Sequence, residues 1–186
     1  MFAAALSFVS CAALAAEEIP RKAQACIACH GPAGNSTDSG VPSLAGQPAQ
    51  AIAMQLFQFR EGNRKDPLMS PMASTLSNAD MNELAAYFSS QKPAPPPRKT
   101  APETAADGAR LALQHHCVQC HGPKLLGLQH IPRLAGQQRE YLKRQLRGFK
   151  AGTRADIDGN MSSAARPLTE ADIETLSDYL SALGAP

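Results

Sequence analysis

Four cysteines and two histidines fall into one pattern written twice. Cys26-Ile27-Ala28-Cys29-His30 and Cys117-Val118-Gln119-Cys120-His121 both read C-x-x-C-H. Two thiols separated by two residues lie on one side of a helical turn, and an imidazole follows at once. That arrangement suits covalent attachment of a c-type haem, with thioethers to the porphyrin and the histidine as one axial ligand of the iron. Cys26, Cys29, Cys117 and Cys120 are therefore the expected anchors of two covalently bound haem c groups, and His30 and His121 the expected axial ligands. A zinc ribbon also pairs C-x-x-C units, but ~15–20 residues apart. Here the gap from Cys29 to Cys117 holds a whole domain. A redox-active dithiol would sit near a βαβ pattern, which this chain lacks.

A histidine on one side of the iron leaves the other side to be filled, and thioether sulfur there raises the reduction potential. Met161 is the only methionine after Met81; it lies 40 residues past His121 and seven before Leu168. Met69 lies 39 residues past His30 and seven before Leu76, so the repeat selects it over Met72. Met54, Met72 and Met81 read as core filler. His115, His116 and His130 read as surface or hydrogen-bonding groups.

The elements that hold these residues should be helices in two copies. Cys26 maps to Cys117 at an offset of 91. Ala45-Gly46-Gln47 maps to Ala135-Gly136-Gln137 at 90, and Met69, Leu76 and Tyr87 map to Met161, Leu168 and Tyr179 at 92. The expected fold class is all-α, with two tandem domains related by internal duplication. Residues 17–91 form the first, 92–104 (KPAPPPRKTAPET) a stiff Pro-rich linker, and 105–186 the second. In the first domain a short helix should run into the motif. Another should begin near Pro48, with Ile52, Leu56 and Phe59 at helical spacing. A loop over residues 65–74 should carry Met69, and a last helix should start at Ser77-x-x-Asp80, a capping-box signal. In the second, Asp107 should cap a helix over residues 109–116 that enters the motif.

Residues 1–16 are apolar and uncharged and end near Ala13-Leu14-Ala15, as in a secretory leader. They are short for a membrane span, which needs about 20 residues. Cys11 would leave with the leader, lipidation of Cys11 being the rival reading. The formal charge is +2, with excess acid in the first half and excess base in the second. Arg139, Lys143, Arg147, Lys150 and Arg154 form a stripe on one expected helix, read as a docking field, a solvated face or partners for haem propionates. Nothing beyond that stripe favours nucleic acid.

Two such domains, each with C-x-x-C-H, a P-x-L-A-G-Q loop (Pro42 to Gln47, Pro132 to Gln137) and a late methionine, resemble the cytochrome c4 family of dihaem class I c-type cytochromes. The resemblance implies two class I cytochrome c domains packed face to face. It also implies that the Pro42 and Pro132 carbonyls orient His30 and His121. The implied function is periplasmic electron carriage rather than catalysis, between an upstream quinol-oxidising complex and a cbb3-type haem-copper oxidase, with loose membrane association. The alternative is an electron-transfer subunit of a larger dehydrogenase. A sulfur ligand on each iron argues against a dihaem peroxidase, which needs an open site.

Overall fold

The computed structural model describes residues 19–96 and 98–184. The expected leader over residues 1–16, with Cys11, lies outside the described residues.

In the first half, α1 (Ala23–His30) carries the motif. It stops at Gly31, whose φ of +79° is open to glycine, and where an added Cβ would collide with the Asn35 carbonyl. After α2 (Ala49–Arg60) and the short α3 (Met69–Ser74) comes α4 (Asn78–Ser90). Pro48 sits at the start of α2, which buries Ile52, Leu56 and Phe59. Ser77 and Asp80 form the expected capping box, and α4 buries Met81, Leu84, Ala85 and Phe88.

The second half holds α5 (Pro102–Gln114), α6 (Cys117–His121), α7 (Arg139–Ala151), α8 (Asn160–Ala165) and α9 (Glu170–Ala182). A second capping box, Thr169 with Asp172, starts α9. Among the described residues there is no β-strand; one isolated bridge joins Leu128 and Ile131.

Three local expectations change. The stretch over residues 65–74 is partly helical, as α3. Helix α5 begins at Pro102, inside the stretch read as linker, because proline lacks only an N–H that the first turn leaves unused and Glu103 complements the helix dipole. Asp107 is therefore inside the helix, where it pairs with Arg110 at 3.2 Å. The chain also does not run straight into the second motif. His116 adopts a left-handed φ of +58°, so α5 ends and α6 starts afresh.

Each half buries its own core. Leu84, Phe88 and their neighbours pack with Cys26, Ile27 and Met69. Ile173, Leu176 and Leu180 pack with Cys117, Val118 and Met161. Each core thus gathers one motif and one of the two selected methionines.

The basic stripe on α7 is not a free field. Arg139 bonds Asp178 at 2.5 Å and Glu174 at 2.7 Å, Lys143 meets Glu174 at 2.7 Å, and Arg147 meets Glu170 and Glu174 at 2.8 and 2.9 Å. Lys150 donates to the Arg166 and Leu168 carbonyls. The stripe fastens α7 to α9 and the turn before it. Arg139→Ala should cost about 1 kcal/mol, the upper end for a partly exposed pair because several acids share this one cation. A lower urea midpoint at unchanged slope would register it.

Candidate haem and electron-transfer site

His30 and His121 are each 6% exposed. Their Nδ1 atoms lie 2.8 and 2.7 Å from the Pro42 and Pro132 carbonyl oxygens, so each Nδ1–H donates there. That bond fixes the tautomer and leaves the lone pair on Nε2, the form that binds a metal. Burial pushes both imidazoles below the usual histidine range, against the opposing pull of the proline carbonyls. Burial thus favours the neutral form of each ring.

Cys29 and Cys120 are exposed, while Cys26 and Cys117 are half-buried. Burial pushes the Cys26 and Cys117 thiols up. An activated dithiol needs the reverse. Among the described residues no group of three or more His, Cys, Asp or Glu is arranged to hold a metal ion.

Met69 and Met161 are half-buried against the two cores, whereas Met72 is 47% exposed. Two carboxylates that the sequence reading passed over hold the methionine segments. Asp66 accepts from the N–H groups of Leu68 and Met69, both at 2.9 Å. Asp156 accepts from the N–H groups of Met161 at 2.7 Å and Ser162 at 3.1 Å, and from the Ser162 hydroxyl. Partial burial would raise both carboxyls, but these hydrogen bonds hold them below the usual range. Asp156→Ala should cost about 1 kcal/mol, as loss of a helix cap does. In guanidinium, the Met161 segment should then loosen at lower denaturant than in the parent protein, followed by amide exchange at Met161 and Ser162.

At the contact between the halves lies a cluster of cations and amides. Arg64 donates to Gln55, to the Tyr141 hydroxyl at 3.2 Å and to Gln145 at 3.0 Å. Arg154 donates to Gln145 and, at 3.2 Å, back to Gln55. Arg133 reaches the Ala45 carbonyl at 2.8 Å. Burial pulls Arg133 and Arg154 down to about 10, and the Nε of each has no partner. Among the described residues no carboxylate forms an ion pair with Arg64, Arg133 or Arg154. Asp66 and Asp156 act on Arg64 and Arg154 only from beyond ion-pair distance, and cations buried without a paired acid are costly. They fit a group that brings its own carboxylates, as the haem propionates would. The residues present therefore fit two haems: paired thiols, neutral imidazoles with Nε2 free, sulfur packed in the same cores, and cations at the interface.

Two helical halves so equipped define a dihaem c-type cytochrome. A family model described as "Cytochrome c" matches residues 105–184, and one described as "Cytochrome C oxidase, cbb3-type, subunit III" matches residues 14–88. Cytochrome c4 of Azotobacter vinelandii is 37% identical, over 87% of this chain and 86% of its own length. A "Thiosulfate dehydrogenase electron acceptor" of Thiomonas intermedia (strain K12) is 40% identical, over 88% of this chain and 80% of its own length. The reduced cytochrome c4 structure from Pseudomonas stutzeri superposes with a TM-score of 0.80 at 34% identity, covering 87% of this chain and 95% of that one. The chain belongs to the cytochrome c4 family, and it is a dihaem electron carrier with two covalently bound haem c groups.

Proposed function

We propose that this chain is exported to the periplasm and carries single electrons toward a cbb3-type haem-copper oxidase, without chemistry on a metabolite. The observation that carries this reading is the doubled site, in which a motif cysteine and a repeat-related methionine pack against one core in each half, next to a buried imidazole held by a proline carbonyl. Cys26 and Cys29 would hold one haem and Cys117 and Cys120 the other, and His30 with Met69, and His121 with Met161, would bind the two irons. When bound, the haems supply one-electron oxidation and reduction. The Pro42 and Pro132 carbonyls keep each ring in one tautomer, and Asp66 and Asp156 keep each methionine segment in place. Fixed ligands in both redox states keep the structural rearrangement per electron small.

A second reading, acceptance of electrons from a thiosulfate dehydrogenase, is favoured by the name of the Thiomonas intermedia relative. The two readings name opposite ends of one route. In stopped flow, the reduced protein mixed with an isolated cbb3-type oxidase should be oxidised within the oxidase turnover time. The oxidised protein mixed with thiosulfate dehydrogenase and thiosulfate reports the donor. Slow oxidation by the oxidase with fast reduction by the dehydrogenase would leave the second reading alone.

A further inference from the structure

The loop P-x-L-A-G-Q ends in a glutamine, and both copies are buried, Gln47 at 7% and Gln137 at 3% exposure. Each reaches into the other half. Gln137 Oε1 accepts the Ser43 N–H at 2.8 Å, and its Nε2 donates to the Ser43 carbonyl at 2.9 Å. Gln47 Oε1 accepts the Arg133 N–H at 2.9 Å, and its Nε2 donates to the Arg133 carbonyl at 3.0 Å. The exchange is reciprocal, since Ser43 and Gln47 map to Arg133 and Gln137 at the same offset of 90. Gln137 Oε1 is shared with the N–H of Gln138.

The peptide unit that each glutamine grips is the one that matters. The N–H of Ser43 and the C=O of Pro42 belong to the same peptide group, and that C=O accepts from His30 Nδ1. The N–H of Arg133 and the C=O of Pro132 are likewise one peptide group, and that C=O accepts from His121 Nδ1. An unbroken chain therefore runs from Gln137 through one peptide to His30, and from Gln47 through its counterpart to His121. Hydrogen bonds in such a chain polarise one another in a low-dielectric interior. A stronger acceptor at Nδ1–H makes an imidazole a better donor to a metal, which favours the ferric state.

We infer that Gln47 and Gln137 are crossed positioning residues, each lowering the reduction potential at the histidine of the domain to which it does not belong. The inference rests on His30 and His121 as axial ligands. It makes the domain interface a determinant of both potentials.

The test is a potentiometric titration of the dihaem protein in which haem-methyl proton resonances separate the two sites. Gln137→Leu should raise the potential of the first-domain haem and leave the second unchanged; Gln47→Leu should do the converse. Gln137→Glu, which keeps an acceptor for Ser43 N–H, should return the first-domain potential to the parent value or below. A shift in the haem of the mutated domain, equal shifts in both, or no shift would overturn the inference. So would leucine and glutamate variants that behave alike. Should the leucine variants not fold, amide exchange on the parent protein still decides: Ser43 and Arg133 N–H must be strongly protected, and exchange at solvent rates refutes the bonds. Failure of the ligand assignment itself looks different, as loss of the sulfur-to-iron band or of haem from the parent chain.

Discussion

Met161→Ala should leave two porphyrins on the polypeptide and drop the potential of the second haem, while the first titrates as before. Thioether sulfur favours the ferrous state, and axial ligands span about 0.8 V across haem proteins. Its loss should therefore move one of two waves by a sizeable part of that range. The same variant should bind added imidazole or cyanide readily at one iron, because the vacated position opens to solvent. Met69→Ala should do the same to the first haem. Met72→Ala is the contrasting case, for Met72 is 47% exposed and outside the first core's packing; its potentials should match the parent. A lowered potential in Met72→Ala with an unmoved Met69→Ala would reverse the assignment in the first domain.

Gly108→Ala should destabilise the second domain by about 2 kcal/mol. Gly108 sits in α5 where it crosses α9, and a Cβ there would overlap Cβ and the ring root of Tyr179. The Tyr179 Cβ is fixed by the backbone, so no rotamer of Tyr179 clears it and the helices must move apart. Overpacking of this kind costs about 3 kcal/mol at the upper end of its usual range. Alanine gives back about 1 kcal/mol of helix propensity, so the steric cost wins. Thermal unfolding followed through second-domain haem resonances should show the loss there and not in the first domain. An unchanged or raised melting temperature would mean that α5 and α9 do not cross at this glycine.

The parts of the site that were legible in the sequence are those whose chemistry demands local spacing. Thioether attachment needs C-x-x-C-H in one turn, and the duplication then singled out Met69 and Met161 by their distance to Leu76 and Leu168. The Ser77–Asp80 box was equally local. What escaped depends on chain geometry or on distant partners. Nothing in helical periodicity signals the left-handed His116 that separates α5 from α6. Asp66 and Asp156 were hidden because a two-residue insertion changes their spacing to the methionines. The α7 stripe looked free because its acids, Glu170, Glu174 and Asp178, arrive from another helix. The final glutamine of the repeated loop was visible as a motif, but its role lies in the other half of the molecule.

The most direct measurement is the near-infrared spectrum of the fully oxidised protein at neutral pH, quantified per iron. Two histidine–methionine sites give a sulfur-to-iron band with the intensity of two irons per chain and no high-spin ferric signal. A band worth one iron or none, or a high-spin fraction, would contradict the pairing of His30 with Met69 and of His121 with Met161.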